Sequence, residues 1–263
     1  MTSTHPLPHA QYLQLLDLHE RAALDALGAL EPRASVPPHG AEALGYALEH
    51  LATLQVWAWL LAHPETDWRA YEGGPPPTAY GDVLASIERQ RDQVLRLLVD
   101  SGPDLELDYF GRPGTSHDVA RLLAHEAISV ACATNEARGT AAPPLQPDVA
   151  SDCVDRALAH WSEPGADVVW HPAPAQLVAA DTGRSWWVRF SEDRQGGGGA
   201  IAPGSPGPPA LTLADDSGPL LRWLEGYRGT NPQIKGDEAT LRGLRVALGH
   251  RVEPAPSRPW WRR

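Results

Sequence analysis

Between residues 8 and 140 the apolar positions recur at steps of three and four. Tyr12, Leu15, Leu16, His19, Ala23 and Leu27 form one such stripe, and Leu44, Leu48, Leu51, Leu54 and Leu61 a second. Val83, Ile87, Val94 and Leu98 make a third, and Leu122, Ile128 and Val130 a fourth. Each stripe is bounded by Pro or Gly, which end helices, so the pattern predicts four long helices. Their connections, around Pro37-Pro38, Pro75-Pro76-Pro77 and Gly111-Arg-Pro-Gly114, suit antiparallel or crossover topology. A four-helix bundle over residues 8–145 buries all four stripes at once.

After Pro143-Pro144 a fifth helix is expected from Pro147 to about Trp161, and the period then shortens to two. Ala166–His171, Gln176–Ala180 and Ser185–Phe190 are short, rich in β-formers and separated by turn residues such as Asp181-Thr-Gly183. Two helices, near 217–227 and 237–248, follow, the second capped by Gly236-Asp237. The fold class is therefore α+β: a helical bundle followed by a small α+β domain over 146–250. Residues 195–209, two-thirds Gly and Pro, read as a mobile loop and 251–263 as a flexible tail.

Composition narrows the classes. With 42% hydrophobic residues over 263 positions the chain can bury a core. Its net charge of −11 is spread along the length, which argues against nucleic acid or an anionic membrane as partner. No apolar run is long enough to span a bilayer, and Met1–Ala10 lacks an export signal, so a cytoplasmic protein with reduced Cys132 and Cys153 is expected. Lys235 is the one lysine, and the bias to Ala, Gly, Pro and Arg suggests a GC-rich, actinobacterial-type genome.

The candidate chemistry lies in His50-Leu51 and Arg121-Leu-Leu-Ala-His-Glu126. A helical-bundle metal site takes one imidazole from an early helix and a Glu-x-x-x-His pair from a later one, since residues four apart share a helix face. Here the position four after Glu126 is Val130. His125 lies about 100° round the helix from Glu126, and Cys132 is also off its face, so neither replaces the missing imidazole. His125 is expected at the bundle edge, and His117 precedes the helix.

These residues, in this order, resemble the mycothiol-dependent maleylpyruvate isomerase family, which joins a DinB-like bundle to a sterol-carrier-like α+β domain. The resemblance rests on His50-Leu51 with Trp57, on Phe110-Gly-x-Pro113 and Arg121-x-x-Ala-His-Glu126, and on Ala180-Asp-Thr-Gly-x-Ser-Trp186. Leu220-Leu-x-Trp-Leu224 with Gly226, and Ile234-x-Gly-Asp237, extend it to the second domain. It implies a zinc-type ion held by an early His, a Glu and a His four later, with mycothiol or a similar thiol as co-substrate. His50 and Glu126 match the first two ligands, while Val130 and Ala133 stand where the family has His and Asp. No tightly bound metal is therefore expected; a retained ion would sit on His50 and Glu126.

The resemblance further implies a functional arginine after the Leu-x-Trp-Leu helix. Tyr227 occupies the matching place and Arg228 follows it, suited to a carboxylate or thiol cofactor, or to a solvated helix end. Trp57 and His125 complete the residues assigned to substrate or thiol, in a cleft between the domains. With no ion between them, His50 and Glu126 are expected to hydrogen-bond directly, as acid and base or as a satisfied buried pair. Three functions follow. The first is a divergent thiol-dependent isomerase or S-transferase-like enzyme acting on a small organic electrophile. The second is a metal-free enzyme repurposed for specialised metabolism, and the third a small-molecule-binding protein without catalysis.

Overall fold

A computed structural model describes residues 7–160, 174–189, 200–201, 207–227, 229–248 and 250. The chain forms two compact units that divide between Pro144 and Leu145. The first contains the helices α1 (His9–Gly28), α2 (Ala43–Ala62), α3 (Tyr80–Ser101) and α4 (Ser116–Arg138). Tyr12, Leu16, Leu51, Leu54, Ile87, Leu98, Leu122 and Leu123 are almost fully enclosed and share one core. Helix α1 lies along α4 and also meets α3, and α2 lies along α3 and touches α4, so α1 and α2 occupy opposite corners. A side chain joining α1 to α2 therefore crosses the middle of the core.

Helix α4 owes its start to a capping box. Asp118 N donates to Thr115 Oγ1 at 3.4 Å, and Asp118 Oδ2 accepts from Thr115 N at 2.8 Å, so two of the unpaired donors at the helix start are satisfied. Two small hairpins decorate the bundle: β1 (Ser35–Val36) with β2 (Ala41–Glu42), and β3 (Glu106–Asp108) with β4 (Pro113–Thr115). Neither was expected, because strands of two or three residues are too short to show a period.

The second unit contains α5 (Pro147–His160), β5 (Ala175–Ala179), β6 (Ser185–Arg189), β7 (Ala200–Ile201), β8 (Leu211–Asp215), α6 (Ser217–Leu224), β9 (Gln233–Gly236) and α7 (Glu238–Ala247). The sheet order is β7-β6-β5-β8-β9, antiparallel except for the parallel pair β5 and β8. Ala175, Leu177 and Ala179 of β5 are buried with Leu211 and Leu213 of β8 and Trp186 and Val188 of β6, so one sheet face forms the core, while α5 packs on α6. Asp155 of α5 ties this layer down by accepting from the Trp186 indole and from Arg184. Asp237 caps α7, its Oδ2 accepting from Thr240 N at 2.7 Å.

The protein is thus α+β, as the change of period indicated. The strand expected at 166–171, most of the loop 195–209 and the tail 251–263 lie outside the described residues. Within that loop, Ala200–Ile201 is strand β7, paired with β6. Strands β8 and β9 were missed: Leu211-Thr-Leu-Ala-Asp215 alternates over only two apolar positions, and β9 is exposed at all four residues. Among the described residues no helix is long and apolar enough to cross a membrane.

Candidate functional site

His50 projects from α2 and is only 5% exposed, seven residues before Trp57 on the same helix face. Its hydrogen bond crosses the bundle to Glu20 of α1, whose side chain is wholly buried. Nε2 donates to Glu20 Oε2 at 3.0 Å, while Oε1 lies at 2.8 Å but off the N–H direction. A carboxylate can only accept, so Nε2 carries a proton and Nδ1 is the nitrogen left for chemistry. The expected direct bond from His50 to Glu126 is corrected accordingly. Glu126 acts on the imidazole through its charge, and Glu20 takes the hydrogen bond.

The electrostatics of the pair are a contest. Burial is the largest single influence and pulls the imidazole pKa down. The charge of Glu20, its hydrogen bond and the charge of Glu126 together outweigh burial, so the His50 pKa rises above the usual 6.5. His19, the residue before Glu20, shows the opposite outcome. It is fully buried, neither ring nitrogen has a hydrogen-bond partner, and desolvation lowers its pKa to about 4.

The other residues singled out in the sequence are dispersed. His125 is not at the bundle edge but 6% exposed, its ring edge-on to Tyr12 at 5.9 Å. The reason is that α1 runs in the same direction as α4 and covers a broad arc of it, with Tyr12 by His125, Ala23 by Val130 and Ala22 by Asn135. His117 sits in the first turn of α4, against Tyr12 at 5.4 Å and His9 at 5.9 Å, nine residues and so ~13 Å of helix rise from Glu126. Trp57 is buried and packs on Tyr109 at 5.5 Å and Phe110 at 5.1 Å. Tyr227, in the second unit, is buried under the Arg222 guanidinium at 4.3 Å, and Arg228 lies outside the described residues.

Sequence reasoning missed Glu20. The signal was present: Glu20 stands four residues after Leu16, on the stripe that the helix buries. An acid at such a position needs a buried partner. Val130, where the resemblance implies a third metal ligand, is 5% exposed and packs with Ala23 and Ala131 against Ala22 and Tyr46, and its own side chain has no ligand atom. Among the described residues no three His, Cys, Asp or Glu side chains gather closely enough to hold an ion.

No protein-family model matches the sequence, and no curated protein matches it. The fold, however, is similar to solved structures. A histidine-to-alanine mutant of mycothiol-dependent maleylpyruvate isomerase superposes with a TM-score of 0.61 at 12% identity, covering 89% of this chain and 96% of that one. A second crystal structure of mycothiol-dependent maleylpyruvate isomerase gives 0.55 at 14% identity over the same shares. At such identities the likeness establishes a shared fold across both units.

Proposed function

We propose that this chain is an enzyme of the isomerase or S-transferase type acting on a small organic electrophile, with His50 as its acid and base and no metal ion. The observation that carries the reading is the buried contact between His50 and Glu20, 2.8 Å at its closest. The likeness in fold to a mycothiol-dependent isomerase supports the reaction class. A thiol such as mycothiol, when bound, would supply the nucleophile that adds to the electrophile and later leaves.

The chain's own part is proton management. Glu20 fixes the imidazole in one orientation and favours its cationic form, so His50 begins as a proton donor. With Nε2 committed to Glu20, the proton given to a developing enolate or alkoxide leaves from Nδ1, and the same nitrogen takes it back as product forms. Glu126 adds negative charge near the ring and helps to restore the cation. In this arrangement the proton balances charge at the place where the family resemblance implies an ion.

The test is turnover of maleylpyruvate with mycothiol, with and without a chelator. Wild type is expected to be active and indifferent to the chelator, and His50→Ala and Glu20→Gln each to lose about two to four orders of magnitude in kcat while staying folded. Stoichiometric zinc, lost together with activity on chelation, would refute the metal-free reading and identify Glu20 as a replacement ligand. The full enclosure of Glu20 favours one second reading, a small-molecule-binding protein in which the pair is structural. In that case the variants change stability alone.

A further inference from the structure

The tip of the β3–β4 hairpin is the feature that folding explains least. Tyr109 N donates to Arg112 O at 2.8 Å and Arg112 N to Tyr109 O at 3.3 Å, leaving Phe110 and Gly111 as a two-residue turn with φ of 56° and 80°. A turn with both central residues at positive φ favours Asn-Gly, and a bulky side chain in the first position is disfavoured. The Phe110 ring does not recover this by full burial, being 47% exposed. It stands edge-on to Trp57 and to Tyr109, each at 5.1 Å, and makes an aromatic wall that is partly open to solvent.

Two guanidiniums flank the wall. Arg112 lies over the Tyr109 ring at 5.3 Å. Arg69 lies over Trp68 at 5.2 Å, and its Nη2 is 3.5 Å from where a Cβ on Gly111 would stand. Asp108 holds the assembly together, Oδ1 accepting from Gly111 N at 2.6 Å and Oδ2 from Trp68 N at 2.8 Å. Arg69 also pairs with Asp67 at 3.3 Å, an exposed contact that costs little to exchange.

We propose that this turn binds a small aromatic carboxylate, its ring against Phe110 and its carboxylate on Arg112 and Arg69. A half-open aromatic surface supplies stacking area, and planar guanidiniums match a carboxylate in two parallel hydrogen bonds. Backbone strain retained at an exposed aromatic residue is typical of ligand sites. In a chain of net charge −11 an anion needs local positive charge, which Arg69 and Arg112 supply at this tip.

The experiment is calorimetric titration of the full chain with 1-naphthoate and with the neutral 1-naphthamide. Naphthoate is expected to bind at least ~10-fold more tightly, with Arg112→Ala and Phe110→Asn each weakening it ~10-fold or more. Phe110→Asn is also expected to keep or raise the melting temperature, because Asn suits the turn. His50→Ala should leave this binding unchanged, so the site stands or falls apart from the His50 chemistry. Equal binding of the amide, indifference to Arg112→Ala, or a lowered melting temperature in Phe110→Asn would each overturn the proposal.

Discussion

Two neighbouring helix residues, His19 and Glu20, put imidazoles of opposite character into one core. His19 prefers to be neutral, with a pKa lowered to about 4, so its contribution is complete above the unfolded value of 6.5 and is lost as pH falls from 6.5 toward 4. His50 prefers to be charged, so its contribution is complete below 6.5 and is lost as pH rises through its elevated folded pKa. Stability should therefore peak near pH 6.5 and decline on both sides. His19→Leu is expected to flatten the acid limb, which is worth up to ~3 kcal/mol, and Glu20→Gln the alkaline limb. Denaturant melts across pH 4–9 would check both. His50 was legible in the sequence because its place matched a known ligand position, whereas Glu20 was hidden by attention to partners four residues apart on one helix.

At the scale of elements, the seam between α1 and α4 decides what the bundle can hold. Ala120, Ala124, Ala127 and Ala131 are wholly buried on α4, and small residues of this kind let two helices approach closely. That approach buries His125 and leaves Val130 in an apolar setting. The four long helices were readable because each runs for five turns or more and carries an apolar stripe, and α5 and α7 because their boundaries carry Pro and Asp. Strand β9 was not, since its identity depends on its partner. Gly236 at its end has φ of 129°, and a Cβ there would meet the Ala210 carbonyl at 2.1 Å. Gly236→Ala should cost several kcal/mol, at about 3 or more, and detach β9. Amide exchange in Leu211–Asp215 would accelerate if so, and unchanged protection would contradict the packing described.

For the molecule as a whole, the change from helical to strand period marked an α+β fold, and the likeness to solved isomerases extends through both units. In the sequence, Val130 stands where the resemblance implies a ligand. What the sequence could not carry was the partner of His50, a carboxylate reaching across the bundle from a helix some thirty positions earlier. The account therefore rests on the state of one ring, and long-range proton–nitrogen NMR of His50 reads it directly. Both ring nitrogens are predicted to be protonated at pH 6.5, with a pKa above 6.5 that falls below it in Glu20→Gln, where burial is less opposed. A neutral ring at that pH, or one whose nitrogen shift reports a bound metal, would contradict the account.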